Sequence, residues 1–103
     1  MKSRVLFAAA VLALAACSVD YGQTRSSFQI KVAGKSLDEA LDAAGKPARE
    51  ETNAAGDRIL VYDKKTFDQE NANAKDAAVR VYFKKDASGK LVYSNIEFVP
   101  LGN

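Results

Sequence analysis

The sequence predicts an α+β domain: a short helix packed on one face of a three- to four-stranded antiparallel β-meander. Three stretches carry that expectation. GKSLDEALDAAGKP, residues 34–47, holds a helix start, one apolar face and a stop. AAVRVYFKK, residues 77–85, alternates apolar and polar side chains. KLVYSNIEF, residues 90–98, is a second β-rich run, joined to the first by Asp86-Ala87-Ser88-Gly89. One helix followed by strands fits a helix laid on an antiparallel sheet.

The first 27 residues are expected to lie outside that domain. MKSR carries Lys2 and Arg4, and residues 5–16, VLFAAAVLALAA, carry no charge. A basic start, an apolar run and small residues before a cleavage point make a secretory signal peptide. The run is too short for a membrane span, which needs about 20 residues. At its end, Leu14-Ala15-Ala16-Cys17 resembles the bacterial lipobox. That resemblance implies diacylglycerylation of the Cys17 sulfur, cleavage before Cys17 and acylation of the new amino terminus. Ser18 stands where Asp resembles an inner-membrane retention mark, so the expected destination is the outer membrane. Cys17 is the sole cysteine and the chain has no histidine. An internal disulfide, a thiolate metal cluster and a Cys–His nucleophile are therefore excluded.

Loss of residues 1–16 leaves 87 residues and removes Lys2 and Arg4. The 15 basic side chains become 13, equal to the 13 acidic ones. A balanced chain gives no support to nucleic-acid binding. It also lacks the excess charge needed to bind anionic lipid, so the acyl chains must supply the membrane contact. Residues 18–27, SVDYGQTRSS, are polar and aperiodic, as a flexible tether would be. Ten such residues reach roughly 15 to 35 Å.

The domain is expected over 28–103. FQIKVA, residues 28–33, alternates Phe28, Ile30 and Val32 with Gln29 and Lys31, as a short strand or an irregular segment pinned by three apolar side chains. Ser36 and Glu39 form a capping box. Leu37, Ala40, Leu41 and Ala44 make one apolar face, Asp38 and Glu39 suit the first turn, and Gly45 and Pro47 end the helix. The spacing predicts a helix over 36–44, too short to persist without a partner. RILVYDK, residues 58–64, is β-rich. Ala54-Ala55-Gly56-Asp57 reads as a turn, which makes 48–53 an edge strand. KTFDQENANAKD, residues 65–76, is expected to be a polar loop with Phe67 its one large apolar residue. In 77–85, Val79, Val81 and Phe83 face the core and Arg80, Tyr82 and Lys84 face away. Gly89 suits a positive φ in the hairpin loop. In 90–98 apolar residues fall on both faces, and the inward side stays unassigned.

This layout behind a lipobox resembles the BamE (SmpA/OmlA) family of small outer-membrane lipoproteins. The family pattern runs G-x-[ST], a short helix, G-x-P, a Tyr-bearing strand and a G-x-L hairpin. Here Gly34-Lys35-Ser36 opens the helix and Gly45-Lys46-Pro47 closes it. Ile59 to Tyr62 fills the Tyr-bearing strand, and Phe83 with Gly89-Lys90-Leu91 fills the hairpin. The chain departs from the pattern at Ala44, where the family often has a larger apolar residue. It departs also at FQIKVA, which reads as extended where the family tends to carry an extra helix.

The resemblance implies a lipid-anchored protein of the outer membrane, facing the periplasm. Its partner would be an envelope protein, in outer-membrane assembly or maintenance. The expected contact surface is the sheet face away from the helix, with Arg80, Tyr82 and Lys84 and with Tyr62 beside them. Aromatic residues and Arg are the usual interface anchors. BamE-like domains also resemble the repeats of β-lactamase-inhibitor proteins, which makes a periplasmic inhibitor or ligand-binding module the alternative, with the 65–76 loop as its inserting element. Catalysis is not expected. There is no Gly-rich phosphate loop, Asp38 and Glu39 are explained by the helix start, and Glu50 and Glu51 by a solvated edge. The domain is expected to be monomeric, without metal or cofactor.

Overall fold

Strand β5 organises the domain, because its 12 residues are long enough to serve several partners. In a computed structural model that describes residues 21–102, the elements run β1 (Gln23–Thr24), α1 (Arg25–Val32), α2 (Leu37–Ala44), β2 (Arg49–Thr52), β3 (Arg58–Asp63), β4 (Thr66–Asp68), β5 (Ala74–Lys85) and β6 (Leu91–Pro100). The expected signal peptide, Cys17 and residues 18–20 of the expected tether lie outside the described residues.

The strands β2, β3, β5 and β6 form the antiparallel meander. The start of β5 pairs also with β4, and β1 lies parallel to β4, so the sheet is mixed and has six strands. Both helices pack on one face. Phe28 and Val32 of α1 and Ala40 of α2 meet Leu60, Tyr62, Val79, Val81 and Phe83, and all eight are buried. Phe28 meets the Tyr62 ring edge-on at 5.1 Å between centroids, a favoured aromatic geometry.

Helix α2 forms as its sequence predicts. The Ser36 N–H donates to Glu39 Oε1 at 2.9 Å, and the Glu39 N–H donates to Ser36 Oγ at 3.3 Å. Gly45 ends the helix at φ +88°, a region other residues rarely adopt. The edge strand before the turn, the turn itself and the Val79, Val81, Phe83 core row also stand as predicted. Asn53 shapes that turn: its Oδ1 accepts from the N–H groups of Ala55 and Asp57, both at 3.0 Å.

Three expectations are corrected. The segment 28–33, expected as a short strand or an irregular stretch, falls largely within helix Arg25–Val32. Phe28 and Val32, four apart, share the buried side of α1, whereas Ile30 is 72% exposed. Two residues on a helix turn about 200°, which puts Ile30 opposite its supposed partners. The flexible tether fails from Gln23 onward. Gln23 and Thr24 pair with β4, and Thr24 Oγ1 accepts the Ser27 N–H at 3.0 Å as the cap of α1. The polar run that suggested disorder is a helix start, and the domain begins before residue 28.

The 65–76 loop is mostly hairpin: β4, a turn over residues 69–73 and the first residues of β5. Its polar residues include a buried cluster. Asp76, 1% exposed, accepts from Thr66 Oγ1 at 2.8 Å and from Arg25 Nε at 3.0 Å, with a second bond from Arg25 Nη2. The guanidinium also lies 5.0 Å from the Phe98 ring centroid. This cluster ties α1 to the β4–β5 hairpin.

Strand β6 resolves the unassigned side. Phe83 pairs with Tyr93 but Tyr82 with Asn95, so Ser94 is an extra residue, a β-bulge. Leu91 and Tyr93 before it, and Ile96 and Phe98 after it, all pack toward the core. The bulge shifts the alternation by one residue, which is why no single period fits the strand.

Candidate interaction face of the sheet

The pleat of β5 sends Arg80, Tyr82 and Lys84 to the helix-free face, opposite the Val79, Val81, Phe83 row. Register then decides their neighbours. Tyr82 stands between Ile59 and Asn95, and Arg80 between Val61 and Glu97. Beyond them in β2, Glu51 faces Ile59 and Arg49 faces Val61. Ile59 and Val61 lie on this open face and yet are 3% and 0% exposed. Their long cross-strand neighbours are close enough to lie over them.

Those neighbours form a lattice across four strands. The Arg80 Nη2 donates to Glu51 Oε1 at 2.9 Å, and its Nε donates to the Tyr82 hydroxyl at 3.1 Å. The Tyr82 hydroxyl donates in turn to Glu97 Oε1 at 3.1 Å, with Arg80 Nε 3.6 Å from the same oxygen. The Arg80 guanidinium lies 5.7 Å from the Tyr82 ring centroid. Arg49 bridges Glu51 at 3.1 Å and Asp63 at 3.6 Å. At the far end Lys84 Nζ donates to Asp57 Oδ2 at 2.8 Å, where Asn53 Nδ2 also donates at 3.1 Å.

The bonds set the charges. Hydrogen bonds from Arg80 and then Arg49 hold the Glu51 carboxyl below the ordinary Glu range. Lys84 and then Asn53 do the same for Asp57. The bond with Tyr82, then that with Glu51, raises the Arg80 guanidinium above its ordinary value. Near neutral pH the face is therefore a set of fixed, alternating charges around one aromatic ring.

Arg80, Tyr82 and Lys84 share this face as expected. Tyr62 does not. It lies on the helix side, 0% exposed, with its hydroxyl donating to the Gly45 carbonyl at 2.8 Å. Strand parity explains the correction: Tyr62 is opposite Val79, a core position. The rest of the lattice around Arg80, Tyr82 and Lys84 escaped sequence reasoning: Arg49, Glu51, Asn53, Asp57, Asp63 and Glu97. Glu50 and Glu51, expected together on a solvated edge, are separated by the pleat. Glu50 turns to Arg58 and Glu51 to Arg80. The alternation of β2 was the available signal.

A hollow of about 500 Å³ lies elsewhere, lined by Thr24, Arg25, Asp68, Glu70 and Phe98 among others. Its Arg25 is already committed to Asp76 and Asp68. Among the described residues no group of three or more Cys, Asp or Glu side chains is gathered as a metal site, and no helix is long and apolar enough to cross a membrane. Comparison of the chain with family models, with curated proteins and with solved structures returns no match. The resemblance to the BamE pattern therefore rests on the motifs themselves.

Proposed function

We propose that the protein is a non-catalytic lipoprotein, anchored to the outer membrane through Cys17, whose periplasmic domain binds an envelope protein through its helix-free sheet face. The anchor reading is supported by Leu14-Ala15-Ala16-Cys17 after a charge-free run. Three acyl chains, at ~0.8 kcal/mol per buried CH₂, make a stable attachment where one would be marginal.

The observation that carries partner binding is the Arg80–Tyr82 pair. The two side chains are bonded to each other and to Glu51 and Glu97, over a buried Ile59 and Val61. Side chains already held in one arrangement lose little entropy on association, and Arg and Tyr are the residues on which interfaces concentrate their energy. The helix at Arg25–Val32 supports the family resemblance further, since the family pattern has a helix upstream of the opening Gly. The inhibitor reading has less support, because its inserting loop is reduced to the five-residue turn 69–73.

A photocrosslinking amino acid placed at exposed Asn95, the cross-strand neighbour of Tyr82, tests this in intact cells. A membrane-assembly protein captured there, and not from exposed Asp42 on α2, supports the proposal. Capture of a soluble hydrolase would favour the inhibitor reading. Equal capture from both positions would mean the face is not special.

A further inference from the structure

The described fold begins at Tyr21, which limits how far the domain can stand from an anchor at Cys17. Only three residues separate the two, and the fully extended span is at most about 14 Å. Tyr21 is held against the domain. Lys75 Nζ lies 5.3 Å from its ring centroid, and the Gln23 N–H donates to the Lys65 carbonyl at 3.2 Å. The chain thus enters the fold beside Lys65. Lys65 shares a surface hollow with Lys46, Pro47, Ala48 and Asp63, and Lys64 stands next to it at φ +52°, exposed. None of Lys46, Lys64, Lys65 and Lys75 forms an ion pair among the described residues. Asp63 and Asp76, the acids next to Lys64 and Lys75 in the chain, are turned to Arg49 and Arg25, although Asp63 lines the same hollow.

We infer that Lys46, Lys64, Lys65 and Lys75 form the membrane-apposed side of the domain, resting on the phosphate-bearing headgroups of the bilayer that holds the anchor. The inference depends on the lipidation proposed above. Balanced total charge does not oppose it, because the four lysines are local and surface attraction acts within about one Debye length. A tether this short lets them come within that range of the bilayer. The occupant of this surface is lipid because the covalent span places a bilayer there before any partner arrives. The orientation also sets the geometry of the sheet. Ala78 pairs with Asp63 at this end, and β5 continues seven residues to Lys85, roughly 23 Å at strand rise. Arg80 and Tyr82 lie on the way, raised off the membrane and open to the periplasm.

Lysine acylation by a water-soluble ester, read by mass spectrometry, tests the orientation on the full lipidated protein. The protein is reconstituted in vesicles of phosphatidylethanolamine and phosphatidylglycerol, then compared with the same sample in nonionic detergent. Lys64 and Lys65 should react several-fold more slowly on vesicles, with Lys84, Lys85 and Lys90 unchanged. In the double variant Lys64→Glu, Lys65→Glu, the protection of Lys46 and Lys75 should be lost. Equal reactivity of both lysine sets, with an acylated Cys17 in the intact mass, would overturn the orientation and leave the anchor standing. Protection of the Lys84, Lys85, Lys90 set would overturn it too. An intact mass without acyl chains would overturn both.

Discussion

The Tyr62 hydroxyl donates a 2.8 Å hydrogen bond to the Gly45 carbonyl, joining the third strand to the residue that ends the second helix. The bond locks the helix stop onto the sheet across 17 residues of sequence. Burial of Tyr62, with a smaller contribution from the charge of Glu50, pushes its hydroxyl up to about 12 from 10.0.

Tyr62→Phe should therefore act in two ways. Removal of the bond should cost about 1 kcal/mol near neutral pH, seen as a lower urea midpoint with unchanged slope. The second effect is on pH dependence. A folded value above the unfolded one means the contribution is fully present below pH 10.0 and is lost as pH rises toward about 12. The Phe variant should lose less stability than the parent across that window. Parallel alkaline curves would contradict the buried placement.

Arg25→Ala tests whether the domain begins before residue 28. It would leave the Asp76 carboxylate, 1% exposed, with Thr66 as its remaining side-chain donor. Arg25 is itself 30% exposed, so loss of the charged partner of buried Asp76 should cost about 1–3 kcal/mol, a sizeable share of the stability of a domain this small. A thermal melt unchanged by the substitution would mean that residues 21–27 are a tether after all.

These two contacts show where the sequence was legible. Helix α2 could be located because its cap, apolar face and stop all lie within 14 residues. The core side of β5 followed from alternation alone. Helix α1 was missed because Phe28, Ile30 and Val32 satisfy a strand period as readily as Phe28 and Val32 satisfy a helical one. Its deciding contact, Arg25 with Asp76, spans 51 residues. The inward side of β6 was hidden by one extra residue, Ser94. On the site, the period of β5 placed Arg80, Tyr82 and Lys84 together, but their carboxylate partners come from β2, β6 and the turn before β3, by a register no local pattern contains.

The second helix yields a graded prediction. Ser36→Ala removes one arm of the capping box and should cost about 0.5–2 kcal/mol. Leu41 packs against the core but is only half-buried, so Leu41→Ala should fall near the low end of the usual range, about 2 kcal/mol. Chemical denaturation of both variants checks the order. A Ser36 variant as stable as the parent would mean that the box contributes nothing.

Cys17→Ser should abolish acylation and leave a precursor that is uncleaved or mis-sorted. Metabolic labelling with a palmitate analogue is the readout. Label retained by the Ser variant would contradict a lipid anchor at Cys17.

The central claim is that Arg80 and Tyr82 anchor a partner protein. The most direct measurement is copurification of the lipidated Arg80→Ala, Tyr82→Ala double variant from detergent-solubilised membranes, with its melting temperature recorded in parallel. Both side chains flank Ile59 and Val61, so a modest fall in melting temperature is expected, and the comparison is made well below it. The proposed role predicts that association weakens by about 2 kcal/mol or more while the domain stays folded. Undiminished copurification by a folded variant would show that the lattice serves only to cover the sheet.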